Sequence, residues 1–553
     1  MRKQTKLVAV LSTAALLAIG ASMTSFAATG WVEEDGTWVY YNRDEERATE
    51  EWKKSGDNWF WLDDNGEMAV DQLIEDDDDY YYVNEAGAMV SNQWVAIENE
   101  DAGEEDEPDA YWYYFQANGK AYKRSENASD DSISAKTING KKYAFDEEGK
   151  MLYGWVQGGE RETGDDAWKN ADYYFGDEND GAMSLGWRQI SIVDDAYEDL
   201  QPGDEFWDED QDRWFYFQTS GKKVKADEGD EIKTKTINGQ KYGFDEDGRM
   251  IGDWFSKEAT SDTASQGTAS YSQTFMYFNS PEDGARVTRG WFKVVPGYYL
   301  NEEKYDDGDD YWYYADGDGE LYAGEIKTIK GKKYAFDGYG RMIDGMVFLQ
   351  MAKKDNDRPD YGTIVTKFAD DGAVPYDTED NFDDFVEYYK DEISAGIINS
   401  YYFGDADDGA MKTGRQTVEI DGDSFTFKFK DSSSSKGVGI HGEDDHKLYN
   451  AGKLIEANSD DKYKVVVYKE DNGVVTMTKM DTDEFIDRYC GAADDSDEDE
   501  TVWTVDAEEA KGVKLYLVNT SGSMVKNKSA AKDGEDYKFE VDNYEIKSVT
   551  LEN

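Results

Sequence analysis

KTINGKKYAFDEEGKMLYGWV, residues 136–156, returns as KTINGQKYGFDEDGRMIGDWF at 235–255 and as KTIKGKKYAFDGYGRMIDGMV at 327–347. Three near-copies in one chain define an internal repeat, and the repeated unit dictates the fold class. Tyr143 and Phe145 lie two apart, so they share one face of a strand. Asp146, Glu147, Glu148 and Gly149 supply turn chemistry, and Met151 and Trp155 then return as large apolar groups. Each copy thus reads as a short hairpin followed by a reach into the next unit. So small a hairpin cannot bury these side chains alone; a neighbouring hairpin must cover them. The expected architecture is all-β, a solenoid of β-hairpin repeats.

The unit is shortest between residues 30 and 95. Trp31 is followed by Trp38 and Tyr40, Trp52 at the same spacings by Trp59 and Trp61, and Leu73 by Tyr80 and Tyr82. A Gly-x-Met element closes each unit and recurs at Met68, Met89, Met151, Met183, Met250, Met342, Met411 and Met524. Eight of the fifteen methionines in one slot imply a physical requirement there. After Trp94 a longer period begins, opened by aromatic runs at 111–114, 214–217 and 311–314. Its connections carry acidic inserts, such as 98–109 and 194–212, which in a repeat array fall on loops.

Within an insert at about 352–400, Phe382, Phe385, Val386, Tyr389 and Ile393 follow helical spacing behind a cap at Thr378 or Asp380. One amphipathic helix is predicted there. From residue 421 the pattern weakens. Phe425, Phe427 and Phe429 alternate as a strand, 447–454 reads as a worn hairpin, 492–500 as an acidic linker, and Gly522-Ser523-Met524 restores the closing element. The expected organisation is a leader at 1–27, short repeats at 28–96, three long-period blocks at 97–420, and diverged repeats or a small β-rich domain at 421–553.

The 553 residues include 59 basic and 123 acidic ones, a net charge of −64, with 80 aromatics. A field of that sign repels nucleic acid and anionic lipid headgroups and tolerates cations. The aromatics argue against a disordered acidic chain. Arg2, Lys3 and Lys6, the apolar run 7–19 and Ser25-Phe26-Ala27 read as an export signal, and no later apolar run has spanning length. One cysteine, Cys490, rules out an internal disulfide framework, and the two histidines, His441 and His446, stand in a Gly/Asp-rich loop. No nucleophile, base or catalytic carboxylate pair stands out. The acidic runs 76–79 and 316–320 lack EF-hand spacing, so neither metal nor cofactor is expected.

Gly30-Trp31, then Trp38 with Tyr40, then Gly-x-Met resemble the choline-binding or cell-wall-binding repeats of Gram-positive surface proteins, which are similar to glucan-binding repeats. The resemblance implies ligand sites between consecutive hairpins. Each cage would use the Gly-Trp tryptophan, aromatics of the following strand and of the next hairpin, and sometimes the methionine. Carried over by position, it groups Trp31 and Trp38 with Trp59 or Trp61, and Trp52 and Trp59 with Tyr80 or Tyr82 near Met68. Tyr40, Trp94, Trp112, Trp155 and Trp187 complete the candidate set; Trp254 and Trp291 keep the Gly-Trp-like step, and Leu73 replaces it in the third unit. Aromatic faces attract a quaternary ammonium by about 0.5–2 kcal/mol each. A single shallow site would bind near the millimolar range, roughly −4 kcal/mol, and repeated sites on one polymer gain about 10²–10⁴ in avidity.

The expected function is a secreted, non-enzymatic protein held non-covalently at the cell wall by choline-bearing teichoic acid or glucan. The rivals are a wall hydrolase with its catalytic module beyond residue 421, and an inert stalk whose aromatics are all core.

Overall fold

The computed structural model describes residues 29–552 apart from 105, 130–132, 194–209, 260–262, 355–357, 369–373, 498–499 and 534–535. The predicted leader and most of the acidic insert 194–212 lie outside the described residues. The fold is a succession of small antiparallel hairpin sheets, as the repeat demands.

Each short repeat pairs two five-residue strands: Gly30–Glu34 with Thr37–Tyr41, Glu51–Ser55 with Asn58–Leu62, and Gln72–Asp76 with Asp79–Val83. Two-residue turns join the strands, and in the first and third repeats both residues take positive φ, 50° and 90° at Asp35-Gly36 and 48° and 61° at Asp77-Asp78, as they do at Asn139-Gly140 with 48° and 85°; at Gly56-Asp57 the glycine alone does. That geometry matches the right-handed twist of paired strands. In the stretch 136–156 the hairpin turn is therefore Asn139-Gly140, and Asp146–Gly149 forms a second turn after the hairpin. There the Asp146 carboxylate accepts from the Lys150 amide at 2.7 Å. Asp63, Asn84, Asp245, Asp316, Asp337 and Asn519 cap the equivalent turns by accepting from amides two and four residues on. Part of the acidic excess thus serves local backbone geometry.

The second turn explains the methionine slot. It sends the chain back along its own hairpin, where Met68 pairs with Leu62, Met89 with Val83 and Met151 with Phe145. The same methionine amide then donates to the preceding hairpin: Met68 to the Trp38 carbonyl at 2.8 Å, Met89 to Trp59 at 2.8 Å, Met151 to Trp112 at 2.7 Å. The bond recurs from Met250 to Trp214 and from Met342 to Trp312, both at 2.8 Å. The reach is backward, not forward, because the hydrogen-bonding edge left open by the two-stranded pair belongs to the earlier unit. The methionine side chain lies on the glycine of the next unit's closing turn, whether or not a methionine follows it there: Met68 on Gly87, Met89 on Gly119, Met183 on Gly221, Met342 on Gly409, Met411 on Gly437. A Cβ on Gly87 would stand 2.7 Å from Met68 Cε and 3.1 Å from the Ala69 carbonyl oxygen, and Gly87 has φ 73°, so a side chain there is strained.

The described chain forms two compact units. The first runs to Ile237 and includes Tyr242–Ile251; the second comprises Asn238–Lys241 and everything from Gly252. In the first, the pairs Gln93–Glu98 with Ala110–Phe115 and Gly186–Val193 with Asp210–Phe217 flank a four-stranded sheet built on Gly154–Gln157 and Tyr173–Asp177.

In the second, wider sheets appear. Strand Met346–Lys353 is buried on both faces: Val347, Leu349 and Met351 pack with Tyr401 and Phe403, while Phe348 packs with Phe382, Phe385 and Val386 of a helix. That helix, Glu379–Tyr388, starts where Thr378 Oγ1 accepts from the Asn381 amide at 3.2 Å. It breaks at Tyr389, whose ring packs on Phe385 and Phe368, and resumes as Lys390–Ser394, so the predicted single helix is two pieces.

Beyond residue 421 the strand Asp423–Phe429 and the hairpin of Lys447–Asn450 with Lys453–Leu454 form as expected. An eight-stranded sheet follows, with its own core of Val465, Val467, Phe485, Leu515, Leu517, Phe539 and Val549. The repeat coupling persists into it, since the Met524 amide donates to the His446 carbonyl at 3.0 Å. The expected acidic linker is instead an edge pair, Asp494–Asp497 with Glu500–Thr504. Backbone pairing at a sheet edge leaves the carboxylates in water, so composition does not forbid a strand there.

Gly87→Ala is expected to lower stability by about 2 kcal/mol or more, from strain at positive φ and the clash with Met68. In urea unfolding, Met68→Ala combined with Gly87→Ala should cost less than the two single losses added together.

Candidate ligand-binding junctions

The register places the Gly-Trp tryptophan opposite an aromatic of its own hairpin and against a ring of the next. Trp31 lies across from Tyr40, with ring centroids 5.4 Å apart, and meets Phe60 at 5.3 Å. Trp52 faces Trp61 at 5.3 Å and meets Tyr81 at 5.1 Å. The ring met in the next hairpin is thus Phe60 rather than Trp59 or Trp61, and Tyr81 rather than Tyr80 or Tyr82. Side chains alternate along a strand, and the face turned toward the preceding hairpin carries the intervening residue. Trp59 points away, 40% exposed, with the Lys54 ammonium 5.8 Å from its ring. Trp38 is half-buried opposite Glu33, and its carbonyl holds the Met68 amide.

The third unit lacks a tryptophan. Leu73 pairs with Tyr82 and packs with Tyr80, Tyr111 and Tyr113 around Phe115. The Tyr82 hydroxyl donates to Asp71, and burial together with that carboxylate pushes its pKa up. Trp94 packs on Tyr114 at 5.2 Å and on Tyr143 at 4.9 Å, and Trp112 belongs to the same cluster.

Two later junctions repeat one arrangement closely. Trp187 packs on Tyr216 at 5.1 Å, Tyr242 at 4.8 Å and Trp214 at 6.3 Å, and Trp291 packs on Tyr314 at 5.1 Å, Tyr334 at 4.8 Å and Trp312 at 6.3 Å. Trp187, Trp214, Tyr242 and Met250 are all half-buried, as are Trp291, Trp312, Tyr334 and Met342. The Trp214 and Trp312 indole N–H groups are buried without a protein acceptor. The sequence reading nominated neither residue. Each stands two places before the cross-strand tyrosine, as Trp38 stands before Tyr40, and the long connections hid that spacing.

Trp155 is different. It is nearly buried, packs on Tyr174 at 4.9 Å and Phe215 at 5.2 Å, and carries the Lys223 ammonium 5.2 Å from its ring, with Phe215 5.8 Å away. Lys223 fills the slot held elsewhere by methionine: it pairs with Phe217, its side chain lies on Gly248, and its ammonium donates to the Trp168 carbonyl. This junction therefore holds a cation of its own chain. A cation over desolvated rings gains about 2 kcal/mol, whereas full burial of a lysine can shift its pKa by 3–5 units. Burial wins, and the pKa falls from 10.5 to about 7.

Neither candidate for nucleophilic chemistry is poised. Burial raises the Cys490 thiol to about 11. His441 is half-buried with both ring nitrogens engaged: Nδ1 accepts from the Ala451 amide at 3.2 Å and Nε2 donates to the Val475 carbonyl at 3.1 Å. Burial also lowers its pKa. Among the described residues no cluster of three or more His, Cys, Asp or Glu side chains could hold a metal ion, and no helix is long and apolar enough to cross a membrane.

No protein-family model matches the chain. Glucosyltransferase-S of Streptococcus mutans is 27% identical over 297 residues, 47% of this chain and 18% of that protein, so the match spans less than a fifth of the relative. Among solved structures, the modular autolysin LytC of Streptococcus pneumoniae aligns at 17% identity and TM-score 0.30, covering 60% of this chain and 56% of LytC. Choline-binding protein F of the same organism aligns at 17% and TM-score 0.22, covering 78% of this chain and all of that one. The choline-binding domain of pneumococcal Spr1274 aligns at 29% identity and TM-score 0.13 over 17% of this chain and 95% of its own.

Lys223→Met should stabilise the protein at pH 7. The unfolded lysine titrates near 10.5 and the folded one near 7, so stability is lost as pH falls between those values and stays low beneath them. The gain in thermal midpoint should be several degrees at pH 7 and shrink by pH 10. Gly-Trp step, cross-strand aromatic and back-reaching methionine together define the repeated hairpin unit of this chain, which is similar to the units of those choline-binding proteins.

Proposed function

We propose that this is a non-enzymatic surface protein whose half-buried aromatic junctions bind the quaternary ammonium groups of choline-bearing wall polymers. One observation carries the reading. The trios Trp187, Trp214, Tyr242 and Trp291, Trp312, Tyr334 recur with the same spacings, each beside a methionine and partly open to solvent. Ring faces turned to solvent are attractive sites for a cation with no hydrogen-bonding hydrogens. At Trp155 the chain's own Lys223 side chain lies against the equivalent rings, so that junction is already filled. The net charge of −64 favours accumulation of cations at the surface.

Non-enzymatic status is supported by the chemistry of Cys490 and His441, the first held as a thiol and the second as a neutral, fully bonded imidazole. Export through the segment at 1–27 and non-covalent retention at the wall complete the reading. The likeness to a glucosyltransferase favours a second one, in which the same rings stack on the sugars of a glucan.

Retention on choline resin with elution by free choline at millimolar concentration is the expected result. Trp214→Leu with Trp312→Leu should cut retention at least tenfold with secondary structure preserved by circular dichroism. Retention on dextran and not on choline would support the glucan reading, and retention on neither would leave the aromatics as core.

A further inference from the structure

One junction in the second unit departs from the aromatic pattern. The cleft between hairpin 325–336 and the following Gly-x-Met has a cavity of about 210 Å³ lined by Gly331, Lys332, Lys333, Ala410, Met411, Lys412 and Lys436. Four lysines and no carboxylate line it, in a chain with 123 acidic and 59 basic residues. Asp408 neutralises part of that charge, paired with Lys412 and, at 3.7 Å, with Lys332. Among the described residues neither Lys333 nor Lys436 has a carboxylate within ion-pair distance. Burial and the neighbouring Lys436 both push the Lys333 ammonium below its ordinary pKa.

The repeat identifies what these lysines replace. The Met411 amide donates to the Lys333 carbonyl at 2.8 Å, as Met68 does to Trp38, Met250 to Trp214 and Met342 to Trp312. Lys333 thus occupies the strand position that carries a tryptophan at 38, 59, 112, 214 and 312 and another lysine at 241. An aromatic face there attracts cations; an ammonium attracts anions. The first block has the same frame without the full charge. There Lys141 pairs with Asp180, the Lys142 ammonium donates to the Thr219 carbonyl at 3.3 Å, and Ser184 and Ser220 stand where the later copy has Lys412 and Lys436. Glycine contacts anchor that alignment, since Gly221 lies on Met183 as Gly437 lies on Met411.

We propose that this cleft is an oxyanion site that takes a phosphate group. The four lysines come from three separate segments, the turn at 331–333, the slot at 410–412 and Lys436, and Lys333 and Lys436 stand near enough to repel each other. A tetrahedral oxyanion presents acceptors to all of them, whereas a planar carboxylate presents two. The site is distinct from the aromatic junctions and stands whether or not they bind choline. Free phosphate and the phosphodiester of a polymer share a tetrahedral anionic phosphorus centre, the diester with two anionic oxygens and one charge, so inorganic phosphate is the better match to the site.

Calorimetric titration of the full chain at constant ionic strength tests it, with inorganic phosphate as one arm and dimethyl phosphate as the other. Saturable binding of inorganic phosphate in the millimolar range is expected, weakened at least tenfold by Lys333→Gln with Lys436→Gln and unchanged by Lys142→Gln. Comparable binding of dimethyl phosphate would point to a polymer source, and binding of the inorganic ion alone to free phosphate. The double variant should keep its thermal midpoint without phosphate, or raise it, because two like charges are removed. Equal heats from sodium chloride, or a double variant that binds as well as the native chain, would overturn the proposal.

Discussion

The bond from each closing-element amide to a carbonyl of the preceding hairpin is what the rest of the molecule depends on. A two-stranded hairpin is marginal in water because its outer edge and one apolar face are unsatisfied. Here one backbone bond and one methionine seated on a glycine tie each unit to its neighbours on both sides. Methionine suits the slot because an unbranched, flexible thioether can lie flat over a glycine without a fixed shape. Where the slot changes, the junction changes with it: Lys223 brings a cation onto Trp155, and Leu321 and Leu454 keep the packing without sulfur.

With units coupled in this way, aromatics have two duties at once. Trp31, Trp52, Trp94, Trp187 and Trp291 pack into their junctions by edge-to-face contacts, worth about 0.5–1.5 kcal/mol each beyond burial. The same rings leave part of a face toward solvent. The character of a junction then follows the second-strand position, tryptophan at 214 and 312 and lysine at 333. The acidic excess divides similarly. Asp63, Asp146, Asp245, Asp316 and Asp337 close turns, and the solvated remainder sets the field around the array.

Much of this was legible in the chain. The three copies of one stretch, the Gly-x-Met slot, the helix behind Thr378 and the strand through Phe425, Phe427 and Phe429 all follow from periodicity and turn chemistry, which are local. The direction of the methionine's reach was not legible, because an open sheet edge is a property of paired strands and not of one strand. The rings meeting Trp31 and Trp52 were misassigned for a related reason: spacing shows which residues share a face, not which face turns toward the neighbour. The edge strand at 494–497 was hidden by its composition, since carboxylates stay solvated while the backbone pairs.

By itself the sequence determined that this protein is an all-β array of hairpins with aromatic junctions, because short-range alternation and repeated turn residues leave no other way to bury those side chains. Tertiary structure alone decided what each junction holds. Whether a cleft presents half-open rings, a lysine already resting on them, or a lining of four lysines depends on side chains brought together from distant parts of the chain, and no local pattern encodes those approaches.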